Sequence, residues 1–396
     1  MLNFILNYFT FVKTNSMKIL YFYPDNPLDM SQGNNARALT LLDYFKKRNV
    51  VLDLVGLKSS SYSKDDQKVL EKSELVNKSF LLNDGHSFLN KLVYFFIESL
   101  PNLFLNRIRL FRRAKFYHQQ QFNSILKSSS YDYVIISYTC WATLVKNNNY
   151  LKNATLVIDT HDFLTSQFQL TKKFDLGKFF KTEMELLKMF DYVMAISVEE
   201  NYIYSQFLKN KVVTISHSLP NNLNSSIEKK IDILYVASHN IHNRKGITWF
   251  LDFVYPLLSK DLKICIVGKI NNHLQDFPNI QKVPFAADLT DYYNSSKIVI
   301  CPMFSGTGLK IKVIEALSFG IPVVTNERGL DGLFNKTKNG CLVTNDHEKF
   351  AGYINELINN EVYYNEISLQ AQHYFLENHH TKVVYEKLDT IFNKSI

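Results

Sequence analysis

The run Lys297–Gly332, KIVICPMFSGTGLKIKVIEALSFGIPVVTNERGLDG, puts Gly306 and Gly308 just ahead of Lys312 and Glu315. A glycine-broken loop entering a helix leaves free backbone N–H groups at the helix start. Such a terminus is a ready site for an anion, most often a diphosphate. Glu315 is awkward on that helix. Its helical neighbours are Ile311, Lys312, Ser318 and Phe319, so its carboxylate falls on a mixed, half-buried stripe. Two readings stand at this stage: an (i, i+3) surface pair with Lys312, or a carboxylate kept for a ligand.

A second polar cluster, Asp159, His161 and Asp162, follows the apolar run ATLVID. Polar residues just past the C-terminal end of a parallel strand fall where ligands bind in open α/β sheets. The alternative for His161 is a capping histidine tied to Asp162. Glu199 and Glu200 need no such role. They follow Ser197 at the start of a helix, where a serine caps and acids suit the positive end.

These residues need a scaffold, and the surrounding text supplies it. KIVICPM and IPVVT are short and β-branched, as strands buried on both faces require. LKIKVIEALSF between them reads as a helix, with Gly320 at its C-cap and Pro322 to stop it. Upstream, the strand MKILYFYP, the loop DNPLDMSQGNNA, the helix ARALTLLDYFKKRN and the strand VVLDLVGL make a β–α–β unit, the building block of a parallel sheet. Gly33 lies in that first loop, where a lone glycine is ordinarily a turn. YDYVIISYT, ATLVIDT, a strand at Tyr192–Ser197, VVTISHSLP, IDILYV, LKICIVGK and GCLVT continue the pattern. Residues 59–123 are polar, then aromatic and basic, and are expected to face an acceptor.

With 396 residues and 46% hydrophobic content, the chain can bury two cores of ordinary size. Cys140, Cys265, Cys301 and Cys341 are widely spaced, three of them in apolar runs. Reduced thiols are therefore expected rather than disulfides or metal ligands, in a reducing compartment such as the cytoplasm. The net charge of +8 and pI of about 9.0 favour an acidic partner. No zinc-finger spacing or RNA-binding signature points to nucleic acid. The segment Leu103–Lys115, LFLNRIRLFRRAK, interleaves Arg107, Arg109, Arg112, Arg113 and Lys115 with apolar residues. As a basic amphipathic helix it would suit an anionic membrane face. As an ordinary helix it would pack its apolar side and turn its arginines to water or substrate phosphates. Residues 1–16 are apolar but too short to span a bilayer, and lack the basic start of a signal peptide. They are either an anchor or the product of a misplaced start codon, since Met17 begins a more natural first strand.

The text GTGLKIKVIEALSFGIPVVT…GLDGL resembles the nucleotide-sugar signature of retaining glycosyltransferases of family four, built on the GT-B fold. The resemblance implies an α/β chain of two Rossmann-like domains, with parallel sheets facing across a cleft. An acceptor domain would occupy 17–220, a linker 221–230 and a nucleotide-sugar domain 231–375, with a C-terminal helix at 376–396 returning to the first domain. It further implies that Glu315 holds the donor's ribose hydroxyls, that Lys245 and Lys312 bind the diphosphate, and that Thr307, Gly308 and Leu309 lie over the phosphates. His161 would contact the transferred sugar, and Gly33 would let the backbone approach donor phosphate and acceptor.

The partners so implied are a nucleotide-sugar donor and a glycan or lipid-linked acceptor of surface polysaccharide synthesis, at the cytoplasmic side of a membrane. No cofactor is implied, because the nucleotide-sugar is itself a substrate. The chain departs from the family pattern at Thr307, where many members carry a second glutamate, and at His239, commonly an arginine. It also lacks an Asp-x-Asp metal motif, so lysines and helix N-termini are expected to stabilise the leaving diphosphate without a metal. Two alternatives remain on the same resemblance: a non-catalytic GT-B subunit, and a nucleotide-sugar epimerase.

Overall fold

A computed structural model of the chain describes residues 17–29, 33–84, 96, 100, 108–169, 171–209, 211–223, 228–306 and 308–392. The expectations for residues 1–16, Arg107 and Thr307 lie outside that set. A seven-stranded sheet runs in the order β3-β2-β1-β4-β5-β6-β7. Its strands are β1 Lys18–Phe22, β2 Val51–Leu57, β3 Lys78–Leu82, β4 Tyr133–Ser137, β5 Thr155–Asp159, β6 Tyr192–Ala195 and β7 Lys211–Thr214. A six-stranded sheet runs β10-β9-β8-β11-β12-β13. Its strands are β8 Ile231–Val236, β9 Ile264–Val267, β10 Ile280–Val283, β11 Ser296–Cys301, β12 Val323–Thr325 and β13 Cys341–Val343. The chain divides into two compact units, residues 1–157 and 158–396, and the division falls inside β5.

In the first unit β1 pairs in parallel with both β2 and β4, and β2 with β3. Ile19–Phe22 and Val134–Ile136 are buried without interruption, as a sheet covered on both faces demands. A carboxylate is buried with them. Asp53 in β2 accepts from Tyr131 Oη at 2.9 Å and Asn77 Nδ2 at 2.8 Å, and lies 3.5 Å from Lys18 Nζ. A buried carboxylate is tolerable only with such partners.

The sequence misjudged two stretches of this unit. The first helix is Gly33–Lys47, so it starts at Gly33 inside the expected loop. Asn35 is buried there, accepting from Tyr23 Oη and donating to the Asp29 carbonyl at 2.6 Å. Those partners supply the bonds that a loop asparagine would have found in water. Residues 108–115, the described part of the expected basic helix, hold one 3-10 turn, Arg109–Phe111, and are otherwise irregular. Phe111 is buried, and the Arg113 amide bonds to the Cys140 carbonyl at 3.0 Å, which draws the backbone away from a helical path.

The second unit holds the six-stranded sheet. β8 pairs in parallel with β9 and β11, β9 with β10, and β12 with β11 and β13. Side chains alternate across it. Ile233, Tyr235, Ile298 and Ile300 pack with Phe250, Val254, Phe350 and Ile354 on one face. Leu234, Val299 and Cys301 pack with Val313, Ile314, Leu317 and Phe375 on the other. Each fully buried aliphatic contributes roughly 1.5–3 kcal/mol, so the two layers fix the strand order firmly. The last helix, Thr381–Phe392, is tied at its start to the segment after β7. Leu219 N donates to the His379 carbonyl at 3.1 Å, and the Thr381 amide and hydroxyl both bond to the Leu219 carbonyl. Among the described residues no helix is long and apolar enough to cross a membrane. All four cysteines are free thiols, and burial pushes Cys265 up to about 11.

Ser197 caps the helix Val198–Phe207 as expected, accepting from the Glu200 amide at 3.2 Å. Glu199 and Glu200 stand in the first turn as expected, and the Glu200 side chain turns inward. It is buried against Thr160 Oγ1 at 3.2 Å and the Ile196 amide at 3.3 Å, and loss of water, then the charge of Asp162, pushes it up to about 8. Thr160 has one hydroxyl hydrogen and also bonds to the Met194 carbonyl at 3.1 Å. A protonated Glu200 satisfies both contacts by donating to Thr160 itself. Because the folded value lies above the unfolded 4.5, stability falls as pH rises from 4.5 to about 8 and is flat beyond. Glu200→Gln should therefore melt above wild type at pH 8, with the gap closing toward pH 4.5. At about 2–4 °C per kcal/mol for a unit of this size, differential scanning calorimetry would read several degrees. A gap that ignores pH would show that Glu200 is not held neutral.

Candidate functional site

The site is built at the C-terminal ends of β8, β11 and β5, all within the second unit. β11 ends at Cys301, and residues 302–310 lead into the helix Ile311–Ser318. Gly306 and Gly308 hold φ of +100° and +73°, the left-handed region that side chains avoid. Lys310, just before the helix, is nearly buried and donates through Nζ to the Gly308 carbonyl at 2.7 Å. Asp331 Oδ2 lies 4.0 Å from the same ammonium. Burial lowers the Lys310 pKa, and the Asp331 charge opposes that.

The helix Ile241–Trp249 follows β8, capped by Asn240, whose side chain accepts from the Asn243 amide at 2.8 Å. Gly246 presses on the end of β11: a Cβ built there would stand 1.8 Å from the Pro302 carbonyl oxygen. Only glycine permits that approach. Two cross-loop bonds accompany it: Lys312 Nζ donates to Asn243 Oδ1 at 3.0 Å, and His242 Nδ1 meets Ser305 Oγ at 2.8 Å. Lys312 also lies over the Tyr235 ring, 4.8 Å from its centroid. Burial lowers the Lys312 pKa.

Glu315 is partly buried on the helix Ile311–Ser318 and accepts from Tyr293 Oη at 2.8 Å. Burial raises its pKa, while the Tyr293 hydrogen bond and the Lys312 charge favour the ionised form. The exposed Lys312–Glu315 pair is not what forms, because the lysine turns to Asn243. Tyr293 is held in turn by stacking on Phe319, with centroids 5.2 Å apart.

His161 follows β5 with φ of +60°, uncommon for a residue bearing a side chain. Its ring is buried and Nε2 lies 3.1 Å from Asp159 Oδ2. Asp162 faces the glycine loop. A Cβ on Gly308 would stand 3.5 Å from Asp162 Oδ1, and the Lys310 charge acts on the same carboxylate, whose pKa burial raises. The β5 and β11 loops are thus neighbours.

Lys312 and Glu315 share the helix Ile311–Ser318, Gly308 lies in the loop before it, and Leu309 packs against Gly332. Lys245 is exposed on the helix Ile241–Trp249. Gly33 belongs to the other unit, where it opens the helix Gly33–Lys47. His239 stacks on His273, with ring centroids 3.8 Å apart. Sequence reasoning missed Tyr293, Asn243 and Lys310. Lys310 stood in the quoted motif, and a lysine at a helix start, where cations are disfavoured, was the available signal. Tyr293 and Asn243 left none.

Lys310→Met would keep the bulk and remove the donor to Gly308. Hydrogen exchange at residues 306–310 should then quicken by about tenfold or more, matching loss of a charged hydrogen bond at roughly 1.5–3 kcal/mol, while β11 amides stay protected. Unchanged exchange in the loop would mean that Lys310 does not hold it.

Residues 230–360 match the family described as Glycosyl transferases group 1. The chain is 26% identical over 162 residues to an uncharacterized 44.6 kDa protein in the cps region of Klebsiella pneumoniae, covering 37% of this chain and 42% of that one. It is 28% identical over 210 residues to an uncharacterized glycosyltransferase of Haemophilus influenzae, covering 47% and 58%. The chain therefore spans about half the length of these curated relatives. Among solved structures, Alr3699/HepE from Anabaena in complex with UDP overlays with a TM-score of 0.69, at 14% identity, over 95% of this chain and 100% of that one. That likeness is one of fold, and the fold is GT-B, with two parallel-sheet α/β domains.

Proposed function

We propose that the chain is a retaining glycosyltransferase that moves a sugar from a nucleotide-sugar to a glycan or lipid-linked acceptor in surface polysaccharide synthesis. The observation that carries this reading is Glu315. It sits within the matched stretch, on the helix that follows the glycine loop, and is oriented by Tyr293; burial raises its pKa, and the Tyr293 bond and Lys312 charge oppose that. A carboxylate so placed can accept from both ribose hydroxyls of a nucleotide. The loop amides near Gly308 and Leu309, with Lys312 and Lys245, would meet the diphosphate, and His161 the transferred sugar. Lys312 bonds to a neutral amide oxygen, so its charge remains available to an anion. The Klebsiella relative's cps region supports polysaccharide synthesis as the setting. The UDP held by the Anabaena protein makes a uridine nucleotide the first donor to test.

Calorimetry of UDP and other nucleoside diphosphates, followed by released nucleotide from a donor panel, tests the reading. Charge-assisted bonds of roughly 1.5–3 kcal/mol each mean that Glu315→Ala should weaken the bound nucleotide by about 10- to 150-fold. Glu315→Gln keeps one acceptor oxygen and should lose less. Wild-type affinity in Glu315→Ala would remove the ribose contact, and with it the reading.

Turnover with the preferred donor should survive EDTA, since lysines and helix N-termini are assigned the leaving diphosphate. A strict requirement for Mg²⁺ or Mn²⁺ would overturn that assignment.

A further inference from the structure

The helix Leu176–Leu187 buries Phe179, Met184 and Leu187 but leaves Leu176 at its start 63% exposed. One turn on, Phe180 is half-buried, and its ring meets Phe207 edge-on with centroids 4.8 Å apart. Phe207 is itself 54% exposed. Leu176 and Phe180 are (i, i+4) neighbours, so the three side chains form one apolar strip on the surface of the second unit.

Lysines flank both ends of the strip. Lys172, Lys173 and Lys181 are exposed beside Leu176 and Phe180, and Lys209 and Lys211 follow Phe207. From Thr171 to Lys181 the sequence has four lysines and one acid, Asp175. That acid is occupied in capping the helix, accepting from the Lys178 amide at 2.9 Å. Lys181 lies 3.9 Å from Glu185 with both side chains exposed, a pair too weakly held to cancel its charge. Lys211 donates to Tyr192 Oη at 3.1 Å, a neutral partner that leaves the charge in place.

We propose that this strip docks the protein on an anionic bilayer, with Leu176 and Phe207 entering the boundary between headgroups and acyl chains and the lysines meeting lipid phosphates. Exposed apolar side chains ringed by cations are what such an interface selects, and either half alone binds feebly. The proposal bears on the activity proposed above only through the acceptor, because a lipid-linked acceptor must be met at a membrane. It moves the membrane contact from the Arg109–Arg113 stretch, which forms no amphipathic helix in its described part, to the surface beside the β5 loop.

Flotation of the full chain with vesicles of phosphatidylcholine and phosphatidylglycerol, against phosphatidylcholine alone, tests it without donor or turnover. Its outcome is therefore independent of whether the chain transfers sugars. Wild type should float with the anionic vesicles at low salt and remain behind with the neutral ones. At about 1 kcal/mol per basic residue near the surface, K172Q/K173Q should lose roughly 30-fold in partitioning. L176D should lose at least as much, and the triple variant R109Q/R112Q/R113Q should bind as wild type. All these positions are exposed or partly so, and melting temperatures check that the variants fold. Absence of wild-type flotation, loss only in the arginine variant, or wild-type binding by either K172Q/K173Q or L176D would each overturn the proposal.

Discussion

The contact of Gly246 with the Pro302 carbonyl is the constraint on which the candidate site rests. A methyl group in place of the glycine hydrogen would stand 1.8 Å from that oxygen, so any side chain must push the helix Ile241–Trp249 off the end of β11. Seated as it is, the helix delivers Asn243 to Lys312 and His242 to Ser305. Two loops from different strands then behave as one surface. Residues three and four positions away in sequence inherit their placement from an atom that is missing.

The charges of the site follow from that seating. Lys312 gives up much of its water, yet its nearest partners are an amide oxygen and the face of Tyr235. Lys310 bonds to a carbonyl oxygen, with Asp331 at the limit of an ion pair. The Asn243 amide oxygen holds the Lys312 ammonium in position without neutralising it. A cation kept this way in a partly dry setting interacts more strongly with an arriving anion than one free in water. Glu315 is handled by the same logic in reverse: Tyr293 gives it one strong donor and leaves its remaining lone pairs for a ligand.

The order of elements was legible in the sequence because its signals are local. Short β-branched runs gave β1, β4, β8, β9, β11 and β12, and Ser197 announced its helix. Where the reading failed, distant partners had overruled local preference. Asn35 enters a helix because Tyr23 and the Asp29 carbonyl meet its amide. The arginine-rich stretch is irregular because Phe111 is buried and the Arg113 amide is claimed by Cys140.

By itself the sequence determined that a glycine loop, Lys312 and Glu315 lie together on a strand–loop–helix of a parallel sheet, because period and punctuation act within a dozen residues. Only the tertiary structure decided what those residues touch. Tyr293 is 22 positions from Glu315 and Asn243 is 69 from Lys312. The turn of Lys312 toward Asn243, rather than toward Glu315 one helical turn away, was set when Gly246 let two elements close on each other. Polar side chains choose partners by distance in space, and that distance exists only once the two apolar layers of the sheet have packed.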